Sequence, residues 1–243
     1  MNRSCSQNST TCELRLVDVQ RFPSHVADLR LHALRPLLLQ QVLDQTGAAV
    51  WIDVEQVLAQ EAGARLKAAV AAADAGPGVR GWTVEQPTSA LTHPGMFPFF
   101  QTEKGNFFFH RMLDPSCLLL LNTPRVHQHL MLPWIRCVLQ AECISPIGAQ
   151  SSGCRFDKKP LYRYSGCHFY DMSALNVALG LMFDFDARPY AGSDADRLCS
   201  KASSLVSLDS DLTAERELDS SRRRNASATK LSFNSNGWRI SSE

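Results

Sequence analysis

At 243 residues, 44% of them hydrophobic, the chain is long enough to bury a substantial core, and one domain plus a tail is the simplest partition. Its 25 Lys and Arg nearly balance 24 Asp and Glu, and a net charge of +1 removes any electrostatic case for nucleic acid or an anionic membrane surface as partner. No run approaches the ~20 apolar residues of a membrane-spanning helix, and the polar opening Met1-Asn2-Arg3-Ser4 lacks the apolar segment of a signal peptide.

Residues 1–12 are polar and Ser/Thr/Asn-rich, which predicts a disordered segment. Leu14–Val19 alternates apolar and polar as a strand does, and Pro23-Ser24 opens a helical pattern through Val26, Leu29 and Ala33. Pro36 suits the first position of a second helix that runs to about Gln45 and stops at Gly47. The continuous apolar run Ala48-Ala49-Val50-Trp51-Ile52 ends in Asp53, the pattern of a parallel-sheet strand buried on both faces, with an acid at its carboxyl end. In open α/β sheets that end is where ligands bind. Alanine-rich residues 56–74 predict a helix closed by Gly76-Pro77-Gly78, and 79–85 a further strand.

Residues 86–115 read as irregular and aromatic, with His93 ahead of Phe97, Phe99 and Phe100 and then Phe107-Phe108-Phe109-His110. So much apolar surface in a loop must pack down or bind something. Cys117–Asn122 predicts another buried strand, and Thr123-Pro124 starts a helix running past Trp134 and Cys137 with a kink at Pro133. After a loop-rich stretch from 144 to 165, the segment Gly166-Cys167-His168-Phe169-Tyr170-Asp171 leads into a helix that is apolar nearly all round, hence buried. Either Asp171 caps this helix and Asn176 is a satisfied core amide, or the helix brings an acid, a histidine and an amide to the floor of a pocket. Beyond 186 the composition turns rich in Ser, Asp and Arg, which predicts a mostly disordered tail over 187–243.

Eight cysteines, five of them between Cys117 and Cys167 and none spaced as CxxC, argue against a zinc ribbon or a thioredoxin-like site. Placed beside loops, they suit disulfides in an oxidising compartment, with buried free thiols as the alternative; spacing does not give the pairing. Asn-x-Ser/Thr sequons stand at Asn2, Asn8 and Asn225.

Alternating strands and helices argue for an α/β fold with helices on both sheet faces. The stretches Leu34-Arg35-Pro36-Leu37, Val50-Trp51-Ile52-Asp53, Leu132–Leu139, Cys143–Gly148 and Cys167–Asn176 resemble an uncharacterised animal family of GT-A-like nucleotide-diphospho-sugar transferases. The resemblance covers roughly residues 12–185. It implies a Rossmann-like mixed or parallel sheet over 13–186, incomplete at its N-terminus because the family's membrane anchor and first strand–helix unit lie upstream. It further implies a Golgi protein that transfers a sugar from a nucleotide diphosphate to a glycan or protein acceptor. Asp53 and Glu55 would hold Mn²⁺ or Mg²⁺, although the family pattern has Asp-x-Asp where this chain has Asp-x-Glu. Arg35 and His93 would contact the donor, and Asp171 and His168 would act on the acceptor hydroxyl. Two alternatives stand beside this reading: a non-catalytic, disulfide-stapled luminal module that binds a glycan or protein, and a cytosolic α/β protein with free thiols.

Overall fold

The computed structural model describes residues 15–59, 61–157, 159–201, 229–234 and 237–242. One compact unit runs through Ser200, and a second begins at Lys201. In the first, the expected strand at 14–19 and helix from 24 are replaced by three 3-10 turns, Val19–Arg21, Ser24–Ala27 and Leu29–Leu31. The carboxylates of Asp18 and Asp28 accept from the backbone N–H two residues on, a local bond that competes with helix continuation. His32, at φ 50°, ends the last turn, and α1 (Leu34–Thr46) follows. Pro36 lies in its first turn, where no intrahelical bond needs its N–H, and Gly47 at φ 75° closes it.

β1 (Ala48–Ile52) comes next, then β2 (Gln56–Leu58), α2 (Ala62–Asp74), β3 (Val79–Pro87) and the single turn α3 (Thr88–Leu91). Residues 56–58 leave the predicted helix because they pair with β5 (Cys199–Lys201), a partner far away in sequence. The aromatic stretch forms 3-10 turns at Pro94–Phe100 and Lys104–Phe107 and then enters β4 (Arg111–Leu121), which begins six residues earlier than the expected start at 117. Asp114-Pro115 masks that strand in the sequence. The proline is tolerated because the β3–β4 register breaks there, Gly81 facing Leu118 and Trp82 facing Asp114. α4 (Pro124–Val126), a π turn at His127–Met131 and α5 (Leu132–Val138) make up one irregular helix. Pro133 offers no N–H to the carbonyl four residues back, which accounts for the π turn ahead of it. α6 (Ala141–Ile144) and α7 (Tyr170–Met182) complete the helices.

The central sheet has the order β1-β4-β3, and both of its ladders are antiparallel. The chain is therefore mixed α and β with small antiparallel sheets, where a mixed or parallel Rossmann-like sheet was expected. Helices on both faces, however, are present. On β4, Leu118 and Leu120 face the larger core with Leu39 and Leu43 of α1, Trp134 of α5 and Leu175 and Leu179 of α7. Cys117, Leu119 and Leu121 face a smaller core with Ala69 and Ala73 of α2. Burial on both faces produces the unbroken apolar run, whatever the direction of the neighbouring strand.

α7 is buried along nearly its whole length, as its apolar circumference predicts. Its Asn176 side chain bridges to β4, accepting from Leu113 N–H at 2.6 Å and donating to Leu113 C=O at 2.8 Å. Gly180 lies against Phe107, itself packed among Phe97, His110 and Phe185 at centroid distances of 5.2, 5.7 and 5.0 Å. Most of the aromatic loop is thus packed down, while Phe109 remains 89% exposed.

Residues 187–200 belong to the first unit, which runs past the expected end at 186: Tyr190, Leu198 and Cys199 are buried in its cores. The second unit holds a hairpin of β6 (Thr229–Asn234) and β7 (Gly237–Ser242), so that part of the expected tail carries antiparallel strands. Residues 1–14 and 202–228, with Cys5, Cys12 and all three sequons, lie outside the described residues.

The six described cysteines form three disulfides, Cys117–Cys199, Cys137–Cys143 and Cys154–Cys167. Such pairing fits a secreted or luminal environment. Among the described residues no helix is long and apolar enough to cross a membrane. Non-reducing peptide mapping of the secreted chain should recover these three bridges, and three free thiols at Cys143, Cys154 and Cys167 would remove the luminal reading. Gly180→Ala should lower stability by about 1–3 kcal/mol in a denaturant melt, because a methyl would overlap the confined Phe107 ring; a stabilised variant would mean that the aromatic cluster yields.

Candidate functional site

Three of the stretches that carry the family resemblance meet at one side chain. Arg35, in the first turn of α1, is only 4% exposed. Its Nη2 donates to Asp53 Oδ2 at 2.9 Å, just past the end of β1, and its Nη1 donates to Asp171 Oδ2 in the first turn of α7. Two tryptophans frame the pair, Trp51 from the second of these stretches and Trp134 from a fourth, Leu132–Leu139. Trp51 Nε1–H donates to Asp53 Oδ1 at 2.6 Å and its ring lies 5.7 Å from the guanidinium, while Trp134 Nε1–H donates to the Asp171 carbonyl at 2.9 Å. The Arg35 Nε–H is buried without a partner. Arg35, His32, Leu34, Leu38, Val26 and Trp51 line a cavity of about 270 Å³ beside this group.

The electrostatics follow from burial. Asp171 is 1% exposed, and loss of solvation raises its carboxyl to about 7, with the Arg35 charge and hydrogen bonds from Arg35 and the Met172 backbone opposing the rise. His32 is held below its ordinary range by burial first and the Arg35 charge second, with Asp53 and Glu55 pulling the other way. A raised carboxyl means that the folded chain binds a proton more tightly than the unfolded chain. The stabilising contribution is complete below about 4, the unfolded value, and is lost as pH rises through about 7.

The other expected site residues have different employment. His168 donates from Nε2 to the Ile144 carbonyl at 2.9 Å and accepts at Nδ1 from the His93 backbone at 3.1 Å, which consumes both nitrogens and fixes the neutral tautomer. Burial pushes its imidazole down to about 4. His93 accepts at Nδ1 from Gly95 N–H at 3.1 Å, capping the 3-10 turn. Neither histidine is bonded to Arg35, Asp53 or Asp171, so the structure makes them struts between the 91–95 loop, α6 and the start of α7.

Asp53 and Glu55 do not fit the expected metal. Both Asp53 oxygens already accept hydrogen bonds, from Arg35 and Trp51, and Glu55 is exposed in the turn closed by Gln56 N–H to Asp53 C=O at 2.9 Å. Among the described residues no group of three or more His, Cys, Asp or Glu could hold a metal ion.

Sequence reasoning missed Trp134 and His32 as neighbours of the site, and it missed a second buried polar cluster altogether. His110, 1% exposed, contacts Thr88 Oγ1 through Nδ1 at 2.9 Å and Tyr190 OH through Nε2 at 2.8 Å. Burial lowers His110 to about 4 and raises the Tyr190 hydroxyl. A histidine following three phenylalanines was the only signal for it in the sequence.

Comparison with family models, with curated proteins and with solved structures gives no match for this chain.

Selective ¹³C labelling of aspartate should show one carboxyl titrating near 7, absent in Asp171→Asn. The stability of Asp171→Asn relative to the parent chain should correspondingly improve as pH is raised from about 4 to about 7. A carboxyl that titrates below 4 would mean that the Arg35 pairing outweighs desolvation.

Proposed function

We propose that the chain is a glycosyltransferase-like domain of the secretory pathway, in the Golgi by family resemblance, whose Arg35 group holds a saccharide. The observation that carries this reading is Arg35 bridging Asp53 and Asp171, because those residues come from three separate resemblance-bearing stretches. Convergence of that kind is expected of a binding site inherited as a unit. A buried ion group that only fastens α1, β1 and α7 needs no aromatic face and no cavity beside it. Here Trp51 supplies a flat ring of the kind on which pyranose C–H faces pack, next to a cavity large enough for a single sugar ring.

Charge bears on what the group can hold. Arg35 is matched by two carboxyl groups, so little positive charge is left over for a diphosphate. Hydroxyl groups, which both donate and accept, suit a cluster of this kind better, and the unpartnered Arg35 Nε–H is a donor in waiting. Asp171, near neutrality, is the residue that would take the proton of an acceptor hydroxyl in a transferase, once that hydroxyl displaced Arg35 from its carboxylate. The poor fit of Asp53 and Glu55 to Mn²⁺ or Mg²⁺ favours the alternative of a non-catalytic, disulfide-stapled glycan-binding module in this chain.

Calorimetric titration separates the outcomes. The chain should show no saturable binding of uridine or guanosine diphosphate sugars, with or without Mn²⁺, and weak saturable binding of a neutral monosaccharide that Trp51→Ala abolishes. A micromolar, Mn²⁺-dependent nucleotide-sugar isotherm would establish a working donor site instead. Binding of neither ligand would leave the Arg35 group as a structural fastening.

A further inference from the structure

A second cavity opens at the loop that the Cys154–Cys167 disulfide closes. The two limbs of this loop are held in register. Arg155 N–H donates to Ser165 C=O at 2.9 Å, Ser165 donates from both its backbone and its hydroxyl to Ala90 C=O at 2.9 and 2.8 Å, and His168 N–H donates to Gln150 C=O at 2.7 Å. Between them opens a cavity of about 350 Å³ lined by Gln150, Arg155, Arg163, Tyr164 and Ser165.

The lining is unbalanced in a specific way. Two guanidinium groups enter the cavity wall and no carboxylate does. Among the described residues neither the Arg155 nor the Arg163 side chain has a hydrogen-bond or ion-pair partner, whereas each of the seven ion pairs seen there joins an arginine to an aspartate. The Tyr164 hydroxyl is buried and unpartnered, with its ring fixed edge-on against His93 at 5.5 Å. Lys104 adds a third positive charge, its ammonium lowered by burial first and by the Arg163 charge second. Cations gathered without counter-charge beside an unused hydroxyl donor form a receptor for an oxyanion.

Beside Arg163, the chain presents an aromatic platform. Tyr162 stacks on Phe108 with centroids 4.2 Å apart and planes 20° apart, and Phe109 stands 6.3 Å from Tyr162 with 89% of its surface exposed. The neighbouring Phe107 is fully buried, so the exposure of Phe109 is not forced by a lack of core to enter.

We propose that this cavity and platform bind an anionic saccharide, its sulfate or carboxylate group held by Arg155, Arg163 and the Tyr164 hydroxyl and its ring packed on Phe109 and Tyr162. A bidentate guanidinium matches the planar pair of oxygens on either anion. Aromatic faces match the C–H face of a pyranose, which a free inorganic anion lacks. The disulfides fit a secreted or luminal environment, where sulfated and uronate-bearing glycans are displayed. The site does not depend on the Arg35 group, with which it shares no residue.

The test is calorimetric titration of the full chain at low ionic strength with a sulfated, uronate-bearing tetrasaccharide. Its desulfated counterpart, a neutral tetrasaccharide, inorganic sulfate and a tyrosine-sulfated acidic peptide serve as comparisons. The sulfated tetrasaccharide should bind saturably and the neutral one should not. Retained binding of the desulfated compound would assign the carboxylate as the recognised group, and lost binding the sulfate. Arg155→Ala with Arg163→Ala should weaken the sulfated ligand by about tenfold or more, the cost of two charge-assisted contacts. Phe109→Ala should weaken the tetrasaccharide but not inorganic sulfate. All three side chains are exposed, so an unchanged melting midpoint checks that the variants fold. No saturable binding, equal binding by the arginine variant, or a peptide that binds as tightly as the tetrasaccharide would each overturn the proposal.

Discussion

Everything near the candidate site depends on the burial of one positive charge. An arginine that is 4% exposed must be paired, and Arg35 is paired twice, by carboxylates that arrive from the end of β1 and the start of α7. Removing either acid would leave the charge short of partners in a medium that solvates it poorly. The three elements are therefore held in one geometry, and the Trp51 and Trp134 indoles, each donating to an aspartate, narrow it further. The cost of keeping a carboxylate there shows in Asp171, whose proton affinity rises although an arginine touches it.

The sheet explains how those elements come within reach. Three antiparallel strands are few, and they are viable because both faces are covered, by α1, α5 and α7 on one side and α2 on the other. Cys117–Cys199 then fastens the β4 strand to the segment that ends the first unit, on the thinner of the two cores. The remaining disulfides lie where helices are short or absent, at the α5–α6 turn and in the 154–167 loop.

Polar groups buried away from Arg35 have a different character. His168, His110 and Asn176 each use their full hydrogen-bonding capacity on fixed neighbours, and both histidines are neutral by burial. Satisfied networks of this kind specify how segments meet. Five buried polar atoms among the described residues lack a partner, Arg35 Nε, Gln40 Oε1, Arg80 Nε, Thr92 Oγ1 and the Tyr164 hydroxyl; of these, Arg35 and Tyr164 line the two cavities where ligand binding is inferred.

Much was legible before any coordinates. The apolar circumference of residues 172–182 announced a buried helix, Gly47 its neighbour's end, and the run from Ala48 to Ile52 a strand closed by an acid. Local chemistry determines such features, because periodicity and backbone freedom are properties of consecutive residues. Strand direction was not legible. An apolar run suits parallel and antiparallel neighbours alike, and only the pairing of Ala48 with Leu121 decides between them; β1 proves to be an edge strand with Ala48 and Ile52 exposed, where burial on both faces was expected. The roles of the polar residues were undecided for the same reason. Asp53 and Asp171 lie 18 and 136 positions from Arg35, and no spacing rule reaches that far. The sequence could name an acid at the head of a helix, but whether Asp171 would meet a metal, a histidine or an arginine depended on which side chains the folded core forced together.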